Sequence, residues 1–191
     1  MAYSTLKDLK SYLRIRDDED DEDLQKALDQ AQTSIDVYCR TTFEAAEDST
    51  RVFDGSNMTP YCDWPSKFIC QLWFDSPLAA LTSVSVDSET LEADEYRLLP
   101  RNDTPYYSLL FTTSCYNQDV SVEGRWAHSI EVPEDIFRAA LRLAGYFFKQ
   151  RGASTFDTIG TDGFSAQEEL PREIPVDIRG TLSRKRFSPL L

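Results

Sequence analysis

Apolar positions in the first forty residues recur at helical spacing, interrupted once by a run of acids. Leu6, Leu9 and Leu13, with Tyr12, fall on one stripe, as in a short amphipathic helix. Thr5 precedes the stripe and Asp8 follows three residues later. That spacing lets the Thr5 hydroxyl accept from the Asp8 backbone N–H while the Asp8 carboxylate reaches back. A second stripe, Leu24, Ala27, Leu28, Ala31, Ile35 and Tyr38, keeps a period near 3.6 residues. Between the stripes lie Asp17, Asp18, Glu19, Asp20, Asp21, Glu22 and Asp23, which meet the positive end of the following helix dipole. The pattern predicts helices over about 5–15 and 20–41.

A third helix is predicted over 133–151. Pro133 suits a first turn, Glu134 and Asp135 suit the dipole there, and Gly152 is a stop just past Lys149 and Arg151. Its buried face is Ile136, Ala140, Leu143, Phe147 and Phe148. Gly145 inside it costs about 1 kcal/mol relative to alanine, a cost that close approach of a neighbouring helix explains. From about 50 to 127 the period changes to two, in SVSVD, EYRLL, YSLLF and DVSVEGRW, with turn segments such as Pro100-Arg101-Asn102-Asp103 between them. These read as short antiparallel strands, and Trp64, Trp73 and Trp126 all lie in this stretch. The segment STFDTIGTDGFSAQEELPREIP carries no period and reads as a mobile or partner-ordered loop. A last short helix starts near Pro175 and brings Ile178 and Leu182 to one side. The expected fold is mainly α: a helical bundle with an inserted small antiparallel β unit over 1–152, then a loop and an extended C-terminal arm over 153–191.

Composition adds a size limit and charge adds a constraint on partners. With 191 residues, 41% hydrophobic and 28% charged, the chain has the material for one ordinary core. Apolar runs such as Ala139-Ala140-Leu141 fall far short of the roughly 20 residues that cross a bilayer. No apolar stretch follows Lys7 and Lys10 as in a signal peptide. No membrane partner is expected, and maturation is expected in the cytoplasm. The net charge is −13, yet residues 171–191 hold Arg172, Arg179, Arg184, Lys185 and Arg186 against Glu173 and Asp177. The tail is thus +3 and the remainder −16. An acidic body repels phosphate backbones, and five cations without stacking aromatics make a weak nucleic-acid site. Docking onto an acidic protein surface is at least as good a use for them.

Candidate reaction chemistry is sparse. Cys39, Cys62, Cys70 and Cys115 form no CxxC pair and have no histidines at metal-ligand spacing. They read as reduced thiols, with two disulfides as the alternative. His128 is the sole histidine, so a nucleophile–His site has to use it. It follows Trp126-Ala127 at a strand end, which favours a structural role. The acidic run resembles a calcium loop in composition alone, because Glu22 stands where that loop needs Gly and Leu28 where it needs a bidentate Glu. No GxxxxGK[ST] or GxGxxG occurs. The expectation is a non-enzyme without metal or cofactor.

The motifs in order are LKSYLRI, an acidic break, L-x-x-A-L-x-x-A-x-x-x-I-x-x-Y-C-R-x-x-F, YRLLPRN, VEGRW and VPEDIFRAALRLAGYFFKQRG. Together they resemble the head-tail connector (adaptor, or head completion) proteins of tailed bacteriophages over about Ser4 to Gly152. Leu9, Tyr12, Leu13, Ile15, Asp20, Leu24, Ala31, Ile35, Tyr38, Arg40 and Phe43 carry the first part; Pro133, Ile136, Ala139, Ala140 and Arg151 carry the last. Ala127 and His128 depart from the family's preference for a Gly-Tyr or similar aromatic pair after Trp126.

The resemblance implies a connector domain over 1–152 and a structural role in the virion, after assembly in the host cytoplasm. It implies a homo-oligomeric ring, commonly of twelve subunits, beneath the portal. That ring joins the portal to a stopper, neck or tail protein and lets double-stranded DNA pass without specific binding. The C-terminal arm then supplies portal contacts through Arg179, Leu182, Arg184, Lys185, Arg186, Phe187, Leu190 and Leu191. Asp17, Asp18, Glu19, Asp20, Asp21, Glu22 and Asp23 become an acidic channel or inter-subunit surface. Two alternatives stand beside this reading. One is a neck or tail-completion protein lower in the tail; the other is a small monomeric hydrolase or lyase using His128 with a carboxylate and a strand tyrosine.

Overall fold

A computed structural model of the chain describes residues 3–45, 47–61, 67–113, 118–153 and 174–188. They divide into two compact units: a sheet unit within Arg40–Val132 and Phe187–Leu191, and a helical unit within Ala2–Cys39 and Pro133–Arg186.

The helical unit contains α1 (Leu6–Leu13), α2 (Asp21–Cys39), α3 (Glu134–Ala153) and α4 (Val176–Leu182), followed by a 3-10 turn over Ser183–Lys185. The Asp8 N–H donates to Thr5 Oγ1 at 3.2 Å and the Thr5 N–H donates to Asp8 Oδ2 at 3.1 Å. This reciprocal box satisfies two N–H groups that the first turn otherwise leaves unbonded. Helix α1 stops at Arg14, whose left-handed φ of 61° lets the Ile15 N–H turn back to the Lys10 carbonyl at 3.0 Å. Leu9, Leu24, Ala31, Ile35, Ile136, Leu143, Ala144 and Leu182 are buried, so each helix contributes its apolar stripe to one core. Gly145 is where α1 meets α3: a Cβ there would lie 3.2 Å from Leu13 Cδ2 and 3.4 Å from Tyr12 Cε1. The mid-helix glycine is therefore explained by close helix approach.

The sheet unit contains β1 (Ser49–Asp54), β2 (Thr59–Pro60), β3 (Cys70–Leu78), β4 (Ala80–Val86), β5 (Glu89–Thr90), β6 (Tyr96–Leu99), β7 (Tyr106–Phe111) and β8 (Asp119–Arg125). They form two four-stranded antiparallel sheets, ordered β1-β8-β4-β5 and β2-β3-β7-β6. Leu72, Phe74, Leu109 and Phe111 from one sheet share a core with Val84, Val120 and Val122 from the other. That arrangement is a small sandwich, each strand sending alternate side chains inward. Trp126 closes one end, edge-on to Phe74 at 5.1 Å between centroids, with its indole N–H donating to the Ser49 carbonyl at 2.9 Å.

The expectation of a mainly α bundle with a small β insertion is therefore corrected: the chain is mixed α and β, with two antiparallel sheets that enclose their own core. The alternating segments at 83–87, 95–99, 107–111 and 119–126 correspond to β4, β6, β7 and β8. The missed strands explain the error. β3 reads CQLWFDSPL, nearly continuous in apolar residues at its start, and β1 reads STRVFD, with Arg51 on the inward face. Arg51 is held there by the Trp126 ring, 4.7 Å from its Cζ, and by Asp75 at 2.7 Å. Neither strand shows a period-two signal, and each finds its partner far along the chain.

Cys39 and Cys70 are buried, the Cys70 thiol donating to the Thr113 carbonyl at 3.1 Å, whereas Cys62 and Cys115 lie outside the described residues. Burial, reinforced by the Asp36 carboxylate, pushes the Cys39 thiol up to about 12. It stays protonated and donates weakly to the Leu182 carbonyl.

Two glycines make opposite predictions. A Cβ on Gly124 would run into the Ala80 carbonyl oxygen and lie 3.0 Å from Leu78 Cδ1. Gly124→Ala is expected to lower unfolding free energy in urea by about 3 kcal/mol. At Gly180, inside α4, an added Cβ meets nothing within 4 Å, and Gly180→Ala is expected to raise stability by about 0.5–1 kcal/mol.

Candidate functional site

The acidic run is built into the helical unit as an ion-pair knot. Lys10 on α1 reaches Asp18 at 2.6 Å and Asp21 at 2.7 Å, with its side chain only 16% exposed. Arg151 on α3 reaches Asp20 at 2.8 Å and also pairs Asp23. Lys26 pairs Glu22 at 2.7 Å on the solvent face of α2, where such a pair contributes little. The ordering matters more than the pairs themselves, because two cations from flanking helices fix the α1–α2 turn. Asp18, Asp20, Asp21, Glu22 and Asp23 are thus compensated in place, while Asp17 and Glu19 are exposed and have no ion pair among the described residues. Among the described residues no cluster of His, Cys, Asp and Glu is arranged to hold a metal ion.

The predicted arm residues are placed differently from one another. Leu182 is fully buried beside Ile178 in the helical core. Arg179 donates from Nη2 to the Ile174 carbonyl at 3.3 Å, and Lys185 pairs Asp135 at 3.4 Å. Arg186 is exposed, with Cζ 5.7 Å from the Tyr38 ring, and Arg184 is exposed. Phe187 is buried and stacks on Tyr107 at 6.0 Å between centroids. Leu190 and Leu191, and the 154–173 loop, lie outside the described residues. Of this set, Arg184 and Arg186 are the described side chains that face solvent.

His128 is joined to the start of the sheet unit. Its backbone N–H donates to the Thr42 carbonyl at 2.8 Å and its ring packs on Phe43 at 5.2 Å, while the neighbouring Ser129 hydroxyl donates to the Phe43 carbonyl at 3.0 Å. These contacts give it a packing role.

Two concavities are lined by described residues. In the helical unit a groove of about 520 Å³ is lined by Glu134, Asp135, Arg138, Arg142, Ile178 and Thr181. Its charges are matched: Arg138 pairs Glu134, Arg142 pairs Asp177 and Lys185 pairs Asp135. In the sheet unit a groove of about 360 Å³ gathers Lys67, Arg97 and Arg101 around Phe68, Tyr96 and Tyr106, with Asp94 as the one acid among its described lining residues. None of these three cations has an ion pair among the described residues. Sequence reading quoted Arg97 and Arg101 within YRLLPRN but missed their convergence with Lys67, which depends on β6 pairing with β7 and not on local spacing.

Residues 3–62 match the model of the phage gp6-like head-tail connector protein family. The chain is similar to those connector proteins over that segment, which contains the capped α1, the ion-pair knot and α2. Two solved structures share its fold along nearly the whole length. One is a chain from the neck of an empty GTA particle, computed with C6 symmetry; the other is a chain from the virion of a native gene transfer agent (GTA) particle. Each is 14% identical with a TM-score of 0.55, covering 97% of this chain and 90% of the other. At that identity the likeness speaks for the fold. A comparison with curated proteins returns no match.

The knot predicts a pH window. Lys10 holds the Asp18 carboxyl below its usual value, so that contribution is complete above about pH 4 and lost as pH falls further. Asp18 and then Asp21 hold the Lys10 ammonium above its usual value, so its contribution is complete below about pH 10 and lost at higher pH. The thermal midpoint of Lys10→Met is expected to fall below wild type by a constant amount between about pH 5 and 9, with the gap closing outside that range. A gap independent of pH down to acid unfolding would mean that Lys10 acts through its packed stem alone.

Proposed function

We propose that the chain is a structural, non-enzymatic subunit of a virion neck, working as a ring beneath the portal. The observation that carries this reading is the coincidence of the connector-family match at residues 3–62 with the knotted α1–α2 unit, within a fold shared end to end with a chain from a GTA particle neck. A neck subunit works by being held and by holding others, which suits a chain whose strongest local features are cross-braced helices and a separate sandwich. The ring is of the dodecameric kind the connector resemblance implies. It joins the portal to the stopper, neck or tail protein that follows.

Duplex DNA crosses the ring during packaging and ejection. A net charge of −13 keeps that polyanion from adhering to the wall. Because most of the acidic run is compensated in place, the repulsion comes from Asp17, Glu19 and the distributed excess of acids. The basic segment after α4 is the portal-facing arm, with Arg184, Arg186 and the terminal Leu190 and Leu191 as its contacts. Leu182 anchors that arm from inside the helical core.

Electron microscopy of the purified chain mixed with portal is expected to show rings seated on the portal. Rings that instead form on a tail-terminator protein would place the chain lower in the tail, and no ring with either partner would remove the neck reading. The double variant Arg184→Glu/Arg186→Glu is expected to weaken portal docking about tenfold, with an unchanged urea midpoint because both side chains face solvent. Docking as tight as wild type would remove the arm assignment.

A further inference from the structure

The groove around Phe68 is unusual in this chain because unpaired positive charge collects there on a strongly acidic protein. Arg97 Cζ stands 4.3 Å above the Phe68 ring and Lys67 Nζ 5.6 Å from it, so both cations are held over one apolar floor. Lys67 Nζ donates to the Asp94 backbone carbonyl, while Glu95 Oε2 accepts from the Glu92 N–H at 2.8 Å and Asp103 Oδ1 from the Thr104 N–H at 2.9 Å, neither acid forming an ion pair with these cations among the described residues. With Asp94 counted, the lining is net positive, and Tyr96 and Tyr106 add aromatic surface. Such a lining fits a peptide that carries carboxylates and aromatic or aliphatic anchors together. A groove of about 360 Å³ admits a few side chains. Duplex DNA, by contrast, presents a charge about every 1.7 Å along a rod and is gripped by extended basic surfaces.

One segment of the chain has that composition. Residues 154–171, STFDTIGTDGFSAQEELP, hold Asp157, Asp162, Glu168 and Glu169 with no Lys or Arg, and carry Phe156, Ile159, Phe164 and Leu170. It connects α3 to α4, ending at Ala153 on one side and resuming at Ile174 on the other. At roughly 3.4 Å per residue, 18 residues give a maximum reach of about 30 Å out and back, enough to span to a neighbouring molecule. We infer that the basic-aromatic groove formed by Lys67, Arg97, Arg101, Phe68, Tyr96 and Tyr106 is the docking site for the acidic 154–171 segment of a second copy of this chain.

The inference rests on the reading of the chain as a repeated subunit, and it names the contact that repeats. The test uses full-length chains in sedimentation velocity over a range of protein and salt concentrations. Wild type is expected to self-associate and to dissociate as salt rises, because exposed pairs are screened beyond about 10 Å at 0.1 M ionic strength. One variant carries Arg97→Glu/Arg101→Glu; the other carries Asp157→Lys/Asp162→Lys/Glu168→Lys/Glu169→Lys. Each alone is expected to weaken association about tenfold or more. Mixing the two restores it, since each groove then meets a loop of opposite sign. Rescue on mixing also excludes misfolding as the cause of the losses.

A wild type that stays monomeric at every concentration, variants that associate like wild type, or a mixture no tighter than its parts would each overturn the inference. Fluorescence anisotropy with a labelled DNA duplex supplies the remaining arm. Duplex binding that is present in wild type and lost in Arg97→Glu/Arg101→Glu would assign the groove to nucleic acid instead. Portal docking is read separately, so a chain that seats on the portal yet never self-associates would lose this inference and keep the neck reading.

Discussion

The sheet unit depends on closing a long excursion of the chain onto its own starting point. Three hydrogen bonds make the closure: Trp126 Nε1 to the Ser49 carbonyl, the His128 N–H to the Thr42 carbonyl and the Ser129 hydroxyl to the Phe43 carbonyl, joining residues as much as 86 apart in sequence. Closing so long a loop costs little more entropy than closing one half its length. The gain is immediate, because β1 and β8 then lie side by side and pair from Ser49↔Gly124 to Asp54↔Asp119. With β8 placed, β4 adds along its other edge and Gly124 lets the two backbones meet at Ala80. The same excursion separates α2 from α3 in sequence, so the helical core is also assembled from distant segments.

This dependence on distant pairing explains what was legible in the sequence. Helices announced themselves because their signals are local: Thr5 and Asp8 cap α1, acids open α2, Pro133 precedes α3, and Gly145 marks a helix crossing from one residue type. Ile178 and Leu182 gave α4 from a single interval. Strands β4, β6, β7 and β8 were found from alternation in the residue types, which matches burial most clearly in β8, where Val120, Val122 and Gly124 are buried and their neighbours less so. β1 and β3 did not, since Arg51 is stabilised inward by an aromatic face and an acid from elsewhere, and β3 begins as an apolar run. Missing two long strands turns a sandwich into a small insertion, which is how a mixed fold came to read as mainly helical.

Charge was read correctly in sign and only partly in use. The acidic run read as a dipole-matched helix start, and Lys10 from one side and Arg151 from the other add ion pairs to four of its seven acids. No local rule brings Arg151 to Asp20 across 131 residues. The basic groove was hidden for the same reason: Lys67 and Arg97 meet over Phe68 only after β3, β7 and β6 have paired. Net charge is a property of composition, whereas a charged site is a property of register.

A chain with net charge −13 repels its own copies at long range. Association therefore has to come from a local contact whose attraction exceeds that background within a Debye length, about 8–10 Å at ordinary salt. Isologous contacts place like patches opposite each other and worsen the repulsion unless the patch is neutral. A heterologous contact uses two different patches, and closed rings are built from such contacts. The described residues and the sequence together offer the ingredients of that asymmetry. The helical groove is charge-matched. The sheet groove is left positive, and the cation-free acidic stretch before Arg172 supplies the opposite sign. Acidity elsewhere then limits which faces of two copies can meet, so the excess negative charge contributes to specificity as well as to long-range repulsion.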